Sequence, residues 1–186
     1  NRHDLTAWLL IAELLGAWAY GDLEKAERSV ASLKRIGMGQ NASYWNLPVA
    51  QLELNLGRPV RALACLDEFI DQARSVGEHL HLPELYRLRA HCKAALFPDG
   101  PNEARADIER SISEAKTTGA KLFEFRATVD YFELFSWDES AVPLAALEEL
   151  MTWFQNHESL KEYRRARRLL NSSRVKDKAI NYPKTQ

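Results

Sequence analysis

The sequence predicts an all-α fold, a solenoid of stacked antiparallel helix pairs. Three observations lead there. No stretch alternates apolar and polar residues with β-branched enrichment over six positions, so strand signals are nearly absent. Helical apolar spacing runs the length of the chain, and Gly and Pro fall mainly between the helical runs. Four alanines, Ala26, Ala62, Ala104 and Ala146, recur 36, 42 and 42 residues apart, each followed four residues later by Val30, Leu66, Ile108 or Leu150. A small residue lets the second helix of a pair approach the first, and the apolar residue after it fills the shared core. That period separates a repeat array from a plain helix bundle.

About nine helices are expected. The first, 4–19, starts behind Asp4 as N-cap, and the second, 22–36, behind Asp22. The third lies in 42–56, where Pro48 either starts or kinks the helix. The fourth, 58–76, places Val60, Leu63, Leu66, Phe69, Ile70 and Ala73 on one face. Proline leads the fifth, 83–96, and the sixth, 101–118, whose inward residues are Ala104, Ile108, Ile112 and Ala115. The seventh is 120–136, the eighth 141–156 and the ninth 158–172. Linkers of 1 to 6 residues suit antiparallel neighbours.

The turn, the alanine and the apolar residue four places on resemble tetratricopeptide (TPR) repeats, at a longer period than the usual ~34 residues. Three stretches carry a narrower likeness. "PELYRLRAHCKAAL" (83–96), "IERSISEAKTTGAKLFEFRATVDYFEL" (108–134) and "WFQNHESLKEYRRARRLL" (153–170) resemble the C-terminal repeat regions of large bacterial class III adenylate cyclases and their relatives. Those proteins join a cyclase or DNA-binding domain to a predicted ATPase and a helical array. The glycine usual in a TPR first helix is replaced here by Leu14, Ala50, Cys92 and Leu134. The resemblance implies a right-handed α-solenoid of about four TPR-like pairs over 1–172. The pairs fall near 4–36, 42–76, 83–118 and 120–156, with a closing helix at 158–172 and a flexible tail at 173–186. It also implies a non-catalytic interaction or sensing module that regulates an attached cyclase, ATPase or transcription-factor domain.

Composition bounds the function. The chain has 186 residues, 46% hydrophobic and 27% charged, with net charge -1. It carries no strong overall field to attract nucleic acid or an anionic membrane. No run reaches the ~18 apolar residues of a membrane span. Cys65 and Cys92 form no C-x-x-C and read as small buried hydrophobes of a reducing, cytoplasmic compartment. The opening "NRHDLTAW" has no initiating Met, which points to a piece of a longer protein. Motifs for phosphate cradling, dinucleotide binding, zinc proteolysis and serine hydrolysis are missing. No cofactor or metal is expected. His79, His81, His91 and Cys92 are too spread for a tetrahedral centre, with about 12 Å of helix rise between linker and His91.

The carboxylates Glu13, Glu53, Glu124, Glu133 and Glu148–Glu149 leave a hydrolase as a third reading, and only convergence in a cleft would support it. Glu84 and Arg87 can pair at i,i+3, and Glu124 and Arg126 each look across to other helices. Aromatics gather on the first helix of each pair, which lines the concave surface in TPR-like arrays. Candidate partner-binding residues there are Tyr86, Phe125, Arg126, Tyr131 and Trp137. The segment 120–136 is apolar on more than one side, so it is either buried between neighbours or offers one side to a partner.

In "KEYRRARRLL" (161–170), Tyr163, Ala166, Leu169 and Leu170 continue one stripe from the preceding Leu160, with Arg164, Arg165 and Arg168 on the remaining surface. Glu162 has the spacing to pair with Arg165. Residues 158–178 hold eight basic and three acidic side chains. A polar outer face on a terminal repeat explains the charge; weak nucleic-acid binding or docking to an acidic partner are the alternatives. Expected partners are a segment or domain of the same parent protein, a second copy of the chain, or a small effector; nucleic acid is disfavoured.

Overall fold

A computed structural model describes residues 22–35, 43–135, 142 and 144–180, with Leu9, Ala12, Glu13 and Gly16 of the N-terminal stretch. The expected first helix thus lies largely outside the described residues, as does Trp137. Among those described, all regular structure is helical. The helices are α1 (Leu23–Arg35), α2 (Ser43–Asn55), α3 (Pro59–Ser75), α4 (Leu82–Leu96), α5 (Asn102–Thr117), α6 (Lys121–Leu134), α7 (Leu144–Trp153) and α8 (Lys161–Ile180).

Local chemistry explains the boundaries. Asp22 accepts the Lys25 N–H at 3.0 Å, capping α1. Pro59 occupies the first turn of α3 and Pro83 that of α4, where a missing N–H removes no helical bond. Pro48 does not start α2: the helix begins at Ser43 and runs through it. The C-termini of α2 and α5 need a left-handed residue, supplied by Gly57 (φ 69) and Gly119 (φ 67). The Arg58 N–H then reaches the Glu53 carbonyl at 2.9 Å, and the Ala120 N–H reaches Ala115 at 2.9 Å. These paired caps satisfy carbonyls that the helix leaves open and turn the chain back at once.

Consecutive helices pack on one another from α1 through α6, and α6 also packs on α7 and α7 on α8. A second set of contacts skips one helix: α2 touches α4, α4 touches α6, and α6 touches α8. The helices between them, α3, α5 and α7, do not touch one another. Two rows result, and α2, α4, α6 and α8 form the continuous one. Ala26, Ala62 and Ala104 are fully buried where the helices meet, as are Leu66 and Ile108 four residues after two of them. In the fourth unit Ala146 is only half-buried and Leu147 takes the buried place.

The core has two apolar clusters that share α4. One joins Leu66, Ile70, Leu85 and Tyr86 across α3 and α4; the other joins Ala90, Ile108, Phe125, Val129, Tyr131 and Leu147 from α4 to α7. Each large side chain fully buried this way contributes about 1.5–3 kcal/mol. Within α3 the inward face is Ala62, Leu66, Phe69, Ile70 and Ala73, whereas Val60 is 66% exposed and faces water. Cys92 is buried and Cys65 half-buried; neither is in a disulfide, and burial pushes the Cys92 thiol up to about 12. The closing helix does not stop at 172: it continues to Ile180, so the first part of the expected flexible tail is helical. Among the described residues no helix is long and apolar enough to cross a membrane.

Gly119→Ala should destabilise the protein by about 1 kcal/mol through backbone strain alone, because a Cβ there meets nothing within 4 Å. Gly100→Ala, also unobstructed and without the positive φ, should stay within about 0.5 kcal/mol of wild type. Urea unfolding monitored by circular dichroism measures both.

Candidate functional site

The densest chemistry lies where α4, α6 and α8 meet. The inward side of α4 presents Glu84, Arg87 and His91, spaced 3 and 4 residues apart and so stacked along one face. Arg126, Asp130 and Glu133 do the same on α6, and Glu162 and Arg165 on α8.

Two ladders cross the three helices. In the first, the Arg126 guanidinium donates to Glu162 of α8 at 3.0 Å and reaches Glu84 of α4 at 3.5 Å. In the second, Asp130 accepts from Arg87 at 2.7 Å and from Arg165 at 2.5 Å. His91 Nε2 lies 2.6 Å from the same carboxylate. Arg87 also grips Glu84 through two nitrogens, both at 3.1 Å, and Arg165 pairs with Glu133.

The setting is dry. The Asp130 side chain is 1% exposed, Glu162 2% and Arg87 13%. Burial pushes the Asp130 carboxyl up, but the His91 hydrogen bond and the charges of Arg87 and Arg165 outweigh it. They hold Asp130 well below the usual carboxylate range. Burial likewise opposes the charge on Arg87 and Arg165, and their carboxylate partners raise both above the ordinary arginine value.

The other side of α4 is braced the same way. Arg89 grips Asp107 of α5 at 2.6 and 2.8 Å and Asp67 of α3 at 2.9 Å, while Lys93 reaches Asp107 at 2.9 Å. One helix is therefore ionically tied to three others, α3, α5 and α6.

The chain matches no family model, no curated protein and no solved structure. Its site is read from geometry alone.

Several expected positions move. Tyr86, Phe125 and Tyr131 are fully buried and offer no surface to a partner. Phe125 stacks on Phe154 at 5.1 Å, and the Tyr131 hydroxyl accepts from Arg105 at 2.9 Å. The segment now seen as α6 is buried between its neighbours, which settles its apolar girth. Arg126 is a cross-helix strut, with its guanidinium also 6.0 Å from the Phe123 ring. Arg165 is a strut as well: it pairs with Asp130 and Glu133 of α6, while Glu162 turns to Arg126. Arg164 and Arg168 remain exposed. Glu84 and Arg87 do pair, but buried rather than at the surface. Glu124 bonds Lys121 of its own helix at 2.8 Å instead of a distant one.

Chemically the arrangement holds rather than transfers. A carboxylate saturated by guanidiniums and kept below its usual range is a poor acid or base near neutrality. Among the described residues no group of three His, Cys, Asp or Glu is placed to hold a metal ion.

Asp130→Asn should cost about 3 kcal/mol, because it sets the half-buried Arg87 and Arg165 against a neutral amide and leaves each only its second carboxylate, Glu84 or Glu133. The native carboxyl titrates below its unfolded value of about 3.9. Its contribution is therefore complete above about pH 4 and is lost as pH falls toward the folded-state value. Wild-type stability should decline in that window with an extra slope that Asp130→Asn lacks, read from urea midpoints between about pH 2.5 and 6.

Proposed function

We propose that this chain is a non-catalytic interaction or sensing module. In this reading it is a right-handed, TPR-like α-solenoid that serves as the regulatory repeat region of a larger bacterial signalling protein. The attached output would be a cyclase, ATPase or transcription-factor domain, as the sequence resemblance implies. The observation that carries the reading is the skip-one stacking of α2, α4, α6 and α8. Such stacking is how each unit of a repeat array buries a face it could not bury alone. The ionic ladders make the array stiff, and a stiff array can present a fixed surface to a partner at little ordering cost.

The surface this reading assigns to the partner is the outer side of α8. Arg164, Arg167 and Arg168 are exposed there and make no ion pair with any described residue. Arg165, which the sequence grouped with them, is half-buried and occupied by Asp130 and Glu133. Three guanidiniums on one exposed helix suit an acidic protein surface, such as another domain of the parent. Nucleic-acid binding loses one of its four arginines to ion pairs with α6, and the described part of α8 has no stacking aromatic beyond the half-buried Tyr163.

The test pairs two charge reversals. Arg164→Glu/Arg168→Glu should keep the native circular dichroism and melting temperature, and should weaken binding to the acidic partner domain at least about tenfold at ~50 mM salt. Arg165→Glu should instead destabilise the fold by more than about 3 kcal/mol, because it sets a carboxylate against Asp130 and Glu133. Should the chain bind no peptide, parent domain or small effector in pull-down and thermal-shift screens, the reading fails. A mobility shift of nucleic acid that the double reversal abolishes would replace it.

A further inference from the structure

Lys161, Arg164 and Arg168 lie 3 and 4 residues apart and form one exposed ridge on α8, with Arg167 exposed beside it. None of the four makes an ion pair with a described residue. Glu162, the acid of the same turn, is buried and bound to Arg126. Most other described arginines are ion-paired, Arg58, Arg89 and Arg110 among them.

A polar end to a repeat array explains side chains that water reaches, not a run of one sign. This run costs helix stability twice. Like charges at i,i+4 repel. The helix also starts at Lys161 and continues to Ile180, so Lys161 and Arg164 stand in and beside its first turn, where positive charge opposes the macrodipole. Among the described residues nothing offsets that cost, which points to a partner that does.

The fold indicates the partner's shape. In the inner row α4 has α2 on one side and α6 on the other, and α6 has α4 and α8. Among the described helices α8 has a row neighbour, α6, on one side only. Signs alternate from helix to helix along the row, as Glu84, Arg126, Glu162 at one level and Arg87, Asp130, Arg165 at the next.

On the interaction reading given above, we propose that the open side of α8 takes an acidic α-helix of the parent protein, stacked on it as the next member of the inner row. Its carboxylates recur at i, i+3 or i+4, and i+7. That spacing matches Lys161, Arg164 and Arg168 over about 10 Å of helix. Arg167 stands one turn after the half-buried Tyr163, so an apolar residue of the incoming helix covers that edge and the arginine stem.

Two synthetic helical peptides of identical composition test this, titrated into the isotope-labelled chain and followed by NMR. One carries glutamates at i, i+3 and i+7 on a single face; the other spreads the same residues around the helix. The first should shift amides of residues 161–170 saturably and bind at least about threefold tighter than the second. Arg164→Glu/Arg168→Glu, on exposed positions, should keep the native melting temperature and lose the shifts. Equal affinity for the two peptides, shifts away from α8, or unchanged binding by the double variant overturns the proposal. Equal affinities combined with an acidic parent domain that still needs Arg164 and Arg168 would overturn the helix while leaving the interaction reading in place.

Discussion

One buried carboxylate organises the inner row of this protein. Asp130 lies on α6 and accepts from Arg87 and His91 of α4 on one side and from Arg165 of α8 on the other. Removing a carboxylate from water costs several kcal/mol, and a single partner seldom returns that. Here three donors converge on it, and both arginines among them are themselves bound to further carboxylates, Glu84 and Glu133. Once the burial is compensated so fully, the geometry becomes a requirement: α4, α6 and α8 must meet at this level.

The apolar clusters alone would not impose that. Alanines and branched aliphatics along a row tolerate a slip of one turn with only a change of partner. The charges do not. At one level of the row the order is Glu84, Arg126, Glu162; at the next it is Arg87, Asp130, Arg165. A slip of α6 by one turn against α4 would set Glu84 against Asp130 or Arg87 against Arg126. Burying like charges side by side is strongly unfavourable, so the ladders select the register while the apolar faces supply the bulk of the attraction. Arg89 repeats the device toward α3 and α5, which makes α4 the helix that joins both cores.

Much of the architecture was legible in the sequence, because capping and periodicity are local. Gly57 and Gly119 mark ends, Pro59 and Pro83 mark starts, and the inward line Ala104, Ile108, Ile112, Ala115 follows from helical spacing alone. Errors arose where one helix shows two faces to different neighbours. Val60 fits the apolar stripe of α3 but faces water, and Leu147 is buried where Ala146 was expected. The site was harder to see. Its pairs join residues 35 to 43 positions apart, and local spacing suggested nearer partners, such as Glu162 for Arg165. A signal was nevertheless present. Glu84, Arg126 and Glu162, like Arg87, Asp130 and Arg165, recur near the alanine period with alternating sign. Charge along that period pairs Arg165 with Asp130 and explains part of the arginine excess in the closing helix.

Native-state hydrogen exchange on wild type and Asp130→Asn examines the carboxylate's role most directly, because it reads opening free energies helix by helix. If Asp130 couples the inner row, amides of α4, α6 and α8 in the wild type should share one opening free energy. In Asp130→Asn the protection of α8 should collapse first, while α2 and α3 keep most of theirs. Equal losses in all helices, or an α8 as protected in the variant as in the wild type, would contradict that coupling.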